Sequence, residues 1–315
     1  MANFSGLAAA RHKVLAEVGW SVEADGLFGA PPVTVVVGSE AHASLFKALV
    51  MLGFGRERVV RVDADGQGRM DPAGFPEISG PAIVCLQAGN VNTGAFDPAS
   101  EIIPRAHDAG AWVHVDGAFG IWAATTPDRT HMMDEYMDAD SWATDAHKWL
   151  NVPYDGGIVL TRHPDALAAA MSIKAAYLHE NADRDPFDFT PECSRRMRGL
   201  EVWAALKSLG RAGLADMIES NCRQAARFAE GLAAAGFEIL NDVVLNQVMV
   251  SFGPSETTER VIWAVQEDGT CWCGGTVWQG RTAMRISVSS WATTDDDVEM
   301  SLDAILACAS RVCGD

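Results

Sequence analysis

The stretch TDAHKWLNVPYDGG (residues 144–157) sets a lysine, Lys148, between a histidine and a tryptophan, with paired glycines downstream. An apolar run over 139–143, broken by Asp140 and Ser141, precedes it, and Ile158-Val159-Leu160 follows. The pattern predicts strand, tight loop, strand, with the lysine at the mouth of the loop. Lysine is normally a solvated surface cation with a pKa of about 10.4. Held at such a mouth it could lose its charge through desolvation and act as a nucleophile. The plainer reading is a surface lysine that snorkels to water. The stretch alone leaves both open.

The segments upstream alternate strand and helix. TVVVG (34–38), RVVRVD (58–63), AIVCLQ (82–87) and AWVHVDG (111–117) read as strands. ANFSGLAAARHKVLAEVGW has helical composition and runs out near Gly19, ASLFKALVML is a helix stopped by Gly53, and another helix lies around Glu101–Ala109. Continuous rather than alternating apolar strands argue for a largely parallel sheet covered on both faces. After about residue 193 the character changes. SRRMRGLEVWAALKSLG and RAGLADMIESNCRQAARFAEGLAAAG read as two consecutive long helices, the second with a buried stripe through Leu214, Ile218, Cys222, Ala225, Phe228 and Leu232. NQVMVSF, a helix near 256–266, AMRISVS and a closing helix follow; the last opens at Thr294-Asp-Asp-Asp297 like a capping box. The expected division is a large α/β domain over 1–200 and a small α+β domain over 201–315.

Composition narrows the function. With 315 residues, 48% hydrophobic and 21% charged, the chain is an ordinary globular one. Its net charge of −18 opposes nucleic acid and anionic membranes as partners. No apolar run approaches the roughly 20 residues of a membrane helix, and the charges of the N-terminus follow its apolar part, unlike a signal peptide. The seven cysteines include no C-x-x-C pair, and Cys271-Trp-Cys273 is too close for the usual geometries. Reduced thiols, a cytoplasmic location and no bound metal are expected.

Four elements could carry chemistry. Asp116 ends an apolar strand, where open α/β sheets bind ligands, although an Asp before glycine also simply makes turns. His42 falls in the loop or first helical turn after 34–38, where the positive helix end would hold its imidazole neutral; a lone histidine there is otherwise structural. His147 adjoins Lys148, and QAGNVNTGAFDP (87–98) offers Asn90, Asn92 and Thr93. A lysine, a buried acid, a flat histidine and polar loop ends at one sheet edge are what pyridoxal phosphate requires.

At these residues the chain resembles the group II pyridoxal-phosphate-dependent amino-acid decarboxylases, relatives of the aromatic amino-acid and glutamate decarboxylases. The motifs are SEAHASLFKA (39–48), AGNVNTGAFDP (88–98), WVHVDGAFG (112–120), DAHKWLNVPYDGG (145–157), SRRMRGLEVW (194–203) and MRISVSSW (284–291). HVD followed by HKW is the specific signal; GAFDP or SRRMRG alone is weak. The resemblance implies the aspartate-aminotransferase-like fold (type I) with a small C-terminal domain. It implies pyridoxal 5'-phosphate as cofactor, with Lys148 as its Schiff-base lysine and Asp116 on the ring nitrogen. His42 would stack on the ring and touch substrate, Ala118 would pack on the other face, His147 would reach the phosphate, and Asn90 would line the cofactor site. It further implies a homodimer that decarboxylates a free L-amino acid. Alternatives are other chemistry of the same cofactor (aldehyde-forming oxidative decarboxylation, an aldol-type lyase reaction, transamination) or a remnant acting as a dimeric binding protein.

Two departures from the family stand out. Met1-Ala2-Asn3 matches the start of a helix that relatives precede with a glycine-rich phosphate loop, so a truncated N-terminus is expected. The mobile-loop tyrosine of relatives is replaced between 179 and 194 by Phe187 and Phe189, with Tyr177 a poorly placed substitute. Among weaker candidates, GFGRER (53–58) lacks the third glycine of a dinucleotide fingerprint. Arg195, Arg196 and Arg198 read as surface pairing or subunit contact. Arg285 is a candidate for a substrate carboxylate, and Trp272 and Trp278 read as core residues or as a loop bordering the site.

Overall fold

The computed structural model describes residues 1–173 and 184–314. Six strands form the large sheet in the order β2-β1-β3-β4-β5-β6: β1 (Thr34–Gly38), β2 (Val60–Val62), β3 (Ala82–Gln87), β4 (Trp112–Asp116), β5 (Ser141–Asp145) and β6 (Gly157–Thr161). The first five run parallel and only β6 is antiparallel to its neighbour. Every residue of β3 and β4 is buried, because helices cover both faces. That is why these strands are apolar throughout.

One face carries α1 (Ala2–Ala16), α2 (Ala43–Met51) and, after β6, α4 (Pro164–Met171); Leu7, Ala9, Leu45 and Leu49 pack there with Val35, Ile83 and Trp112. The opposite face buries Val84, Val113 and Val115 beneath α3 (Ala99–Asp108). The long helix α5 (Arg198–Ala234) breaks at Gly210, whose φ of 62° and ψ of −173° leave the helical region, so the two predicted helices are its two arms. Its second arm belongs to both cores: Leu214, Ile218 and Cys222 join the large one, Ala225, Phe228 and Leu232 the small one.

The small sheet has the order β7-β8-β10-β9, with β7 (Glu238–Ile239), β8 (Gln247–Ser251), β9 (Gly274–Trp278) and β10 (Arg281–Ser287), all antiparallel. Helices α6 (Ser255–Asp268) and α7 (Asp295–Cys313) cover it, and Thr294 with Asp297 closes the expected capping box at the start of α7. The tryptophan-rich segment is part loop, part strand: 274–278 form the edge strand β9 with Trp278 buried, whereas Trp272 precedes it, is 76% exposed and is no core residue. Among the described residues no helix is long and apolar enough to cross a membrane, and no cluster of His, Cys, Asp and Glu could hold a metal ion.

Candidate active site

The strand ends position the candidates. β3 and β4 pair so that Gln87 lies opposite Asp116, and Asp116 lies opposite Ala143 of β5. The turn after β5 then delivers Lys148, whose Nζ is 2.9 Å from Asp145 Oδ2 and 5.4 Å from the centre of the Phe119 ring. The backbone of the 117–120 turn is tied to β5, with Thr144 Oγ1 donating to Ala118 O at 3.4 Å. His42 is the N-cap of α2. Its Nδ1 accepts the Ser44 backbone N–H at 3.2 Å, which leaves Nε2 to carry the ring hydrogen.

Asp116 is buried, and burial raises its carboxyl pKa; the hydrogen bond from Asn3 and the charges of Lys148 and His42 oppose that rise, while Asp145 adds to it. Its donors are neutral: Asn3 Nδ2 at 2.9 Å and the Ala118 N–H at 3.3 Å. Asp116 and His42 both line a small pocket, shared with Gln87, Cys85, Glu40 and Gly68.

The other two candidates serve the loops. Asn90 is buried, its Oδ1 accepting the N–H groups of Asn92 (2.8 Å) and Thr93 (3.2 Å) while Nδ2 donates to Gln87. This is an Asx-type turn that folds the 88–98 loop under the sheet edge. His147 donates from Nδ1 to Gly156 O at 2.9 Å and stacks on Tyr154. The free Nε2 of the neutral ring is an acceptor, so it would offer a phosphate a hydrogen only when the ring is protonated. Thus Asp116 accepts the Ala118 N–H and lies close enough to Lys148 and His42 to feel their charges, whereas the side chains of Asn90 and His147 bond to neither Asp116, His42 nor Lys148. Arg285 donates to Val91 O at 2.9 Å, fastening the small sheet to the 88–98 loop. Arg198 pairs with Asp155 through both Nε and Nη2, and Arg195 with Glu192, the pairing role read from the sequence. Phe189 packs against the α1–α4 face, Phe187 belongs to the same short turn, and Tyr177 lies outside the described residues.

Sequence reasoning missed Asn3 and Asp145. Asp145 carried a signal, since it stands three residues before the lysine. Asn3 carried little, because Asp116 and His114, two of its partners, are more than a hundred residues away.

The pyridoxal-dependent decarboxylase conserved domain matches residues 1–253. Acidic amino acid decarboxylase GADL1 of Mus musculus is 31% identical over 211 residues, which is 62% of this chain and 38% of that protein. Aromatic-L-amino-acid decarboxylase of Bacillus atrophaeus is 25% identical over 301 residues, 88% of this chain and 63% of that protein. The chain therefore spans less than two thirds of the length of either relative. Among solved structures, Oryza sativa TDC with PLP and tryptamine superposes with a TM-score of 0.90 at 23% identity, covering 98% of this chain and 68% of that one. At that identity the likeness establishes the fold.

Proposed function

The chain belongs to the pyridoxal-dependent decarboxylase family, and from that premise we propose that it binds pyridoxal 5'-phosphate at Lys148 and removes the carboxylate of a free L-amino acid. The observation that carries the reading is the state of Asp116, a buried carboxylate that accepts only neutral donors and faces a cavity lined by a histidine. Such a carboxylate is short of a cation, and a protonated ring nitrogen is one. The residues therefore fit the cofactor. His42 and Ala118 would hold the two ring faces, Asp116 the ring nitrogen and His147 the phosphate, with Asn90 shaping the adjoining loop.

When bound, the cofactor supplies an aldehyde for the amino group and a protonated ring that accepts the electrons released with carbon dioxide. This chain's residues do the rest. Lys148 must be neutral to attach, and Asp145 Oδ2, 2.9 Å from Nζ, is the adjacent acceptor for its proton. Phe119 flanks the Nζ and keeps water from that side. A third N–H, from a bound ring, would favour the ionised form of the Asp116 carboxylate.

The active assembly is proposed to be a homodimer. In support, Met197, Leu200 and Trp203 are exposed along the first arm of α5, close to the 151–157 turn that Arg198 clamps through Asp155. Sedimentation of a Trp203→Asp variant at half its parent's mass would bear this out.

The deciding experiment incubates the chain with pyridoxal phosphate, reduces with borohydride, maps the labelled peptide, and assays carbon dioxide, amine and aldehyde from free amino acids. Label confined to Lys148 and absent in Lys148→Ala, with carbon dioxide matched by amine, is expected. Scattered label, or none, would sink the reading. Aldehyde in place of amine would move the chemistry to the oxidative branch.

A further inference from the structure

Behind Asp116 the buried side chains form one continuous line of donors and acceptors. Trp112 Nε1–H, which can only donate, meets Ser141 Oγ at 2.9 Å. The Ser141 hydroxyl hydrogen is then free for His114 Nδ1, at 2.8 Å. Nδ1 is therefore the unprotonated nitrogen, and Nε2–H donates to Asn3 Oδ1 at 3.0 Å. With its oxygen engaged, Asn3 turns its amide nitrogen toward Asp116 Oδ2 (2.9 Å) and Ser44 Oγ (3.4 Å). Ser44 passes the line on to His42 Nδ1 at 2.8 Å. Trp112, His114 and Ser141 are all buried, and burial pushes the His114 pKa down to about 3, so the ring stays neutral. One turn along α1 from Asn3, Gly6 sits so close that a Cβ would lie 2.6 Å from His114 Cε1. The helix is seated directly on the histidine.

We infer that Asn3 is a positioning residue that transmits the one-way polarity of the Trp112–Ser141–His114 line, holding Asp116 as an anion and His42 in its capping orientation. The purpose assigned to those two residues rests on the cofactor reading above; the polarity itself does not. Reversing the line would need Asp116 protonated and donating to a flipped Asn3, with His114 in its other tautomer. Ser141 would then accept two hydrogens and leave its own unspent in a fully buried place. An unmet buried hydrogen bond costs about 1–3 kcal/mol, which opposes the pull of burial toward a neutral Asp116. The remaining groups facing Asp116 are Lys148 and His42, which favour the anion, Asp145, which disfavours it, and the Cys85 thiol, which burial keeps neutral. The substitutions below leave all four in place.

The test titrates the Asp116 carboxyl carbon by NMR in the cofactor-free chain, with Asp116→Asn assigning the resonance. Asn3→Leu is expected to raise the Asp116 pKa by at least about one unit, a tenfold gain in proton affinity. Trp112→Phe, three links away, should raise it by less in the same direction. It also decides the matter if Asn3→Leu does not fold. Shifts within about 0.3 unit for every folded variant would overturn the inference. A parent chain that fails to take the borohydride label would sink the cofactor reading and leave this titration standing, so the two failures are distinguishable.

Discussion

Two carboxylates stand at opposite ends of the large sheet, and the proposed chemistry falls to one of them. Asp140, just before β5, accepts the Val113 N–H at 2.7 Å and meets His107 Nε2 and His163 Nε2 at 3.1 and 2.9 Å. Each of its oxygens is answered, and the bonds stitch β4, β5, α3 and the start of α4 together. Asp116, at the far end of β4, has two neutral donors and an open side toward a cavity. Both lie beside histidines on strand ends, so residue type does not separate them. Their partners do: Asp140 has three, two of them histidine rings, whereas Asp116 has two, both neutral.

The contrast is sharpest if the two are neutralised in turn. Asp116→Asn removes the proposed partner of the ring nitrogen and should cut turnover about a hundredfold or more, while leaving the cofactor-free chain as stable as its parent or more so, because a buried charge has been removed. Asp140→Asn should do the reverse. It loses about 2 kcal/mol in urea unfolding, with borohydride labelling of Lys148 per folded molecule unchanged. If both variants lose stability and labelling alike, the distinction between a structural and a functional carboxylate collapses. Gly6→Ala belongs with the Asp116 end: its Cβ meets His114, and overpacking of this kind should cost about 1–3 kcal/mol.

What could be read without coordinates follows the same divide. β3 and β4 were legible because strands buried on both faces must be apolar throughout, and the start of α7 because Thr294 and Asp297 are neighbours in sequence. The positions of Lys148, Asp116 and His42 were legible because each stands at the end of a predicted element. β9 was not: GGTVW opens with two glycines, and Val277 points to solvent as an edge strand permits. Asn3 was not either, since an asparagine in a helix declares nothing until the helix docks on β4 and brings His114 and Asp116 to it. The family resemblance named the groups expected to touch the cofactor. It said nothing of those that orient them.

Acid should bring out the line behind Asp116. Folded His114 resists protonation down to about pH 3, whereas in the unfolded chain it titrates near its ordinary 6.5. Below pH 6.5 the unfolded state therefore binds a proton that the folded state refuses. Stability is fully present above 6.5 and falls as the pH drops toward 3, by up to about 1.4 kcal/mol per pH unit. In urea titrations across that window, His114→Gln should flatten the slope by close to one proton; an unchanged slope would mean the histidine is protonated in the fold. Asp116, whose pKa is raised, acts with the opposite sign, since its folded form holds a proton longer as the pH rises.

The mildest effects belong to the histidines at the saturated end. His107 and His163 are 37% and 39% exposed, and Asp140 keeps its backbone donor whichever of them is removed. Exposed partners of this kind contribute little individually, so His107→Gln or His163→Gln should each change unfolding free energy by no more than about 0.5 kcal/mol. The double variant tests whether Asp140 works as a unit. A loss close to the sum of the singles would mean that the Val113 N–H does most of the holding. A loss approaching that of Asp140→Asn would mean that the two rings share the carboxylate as one network and that either can stand in for the other.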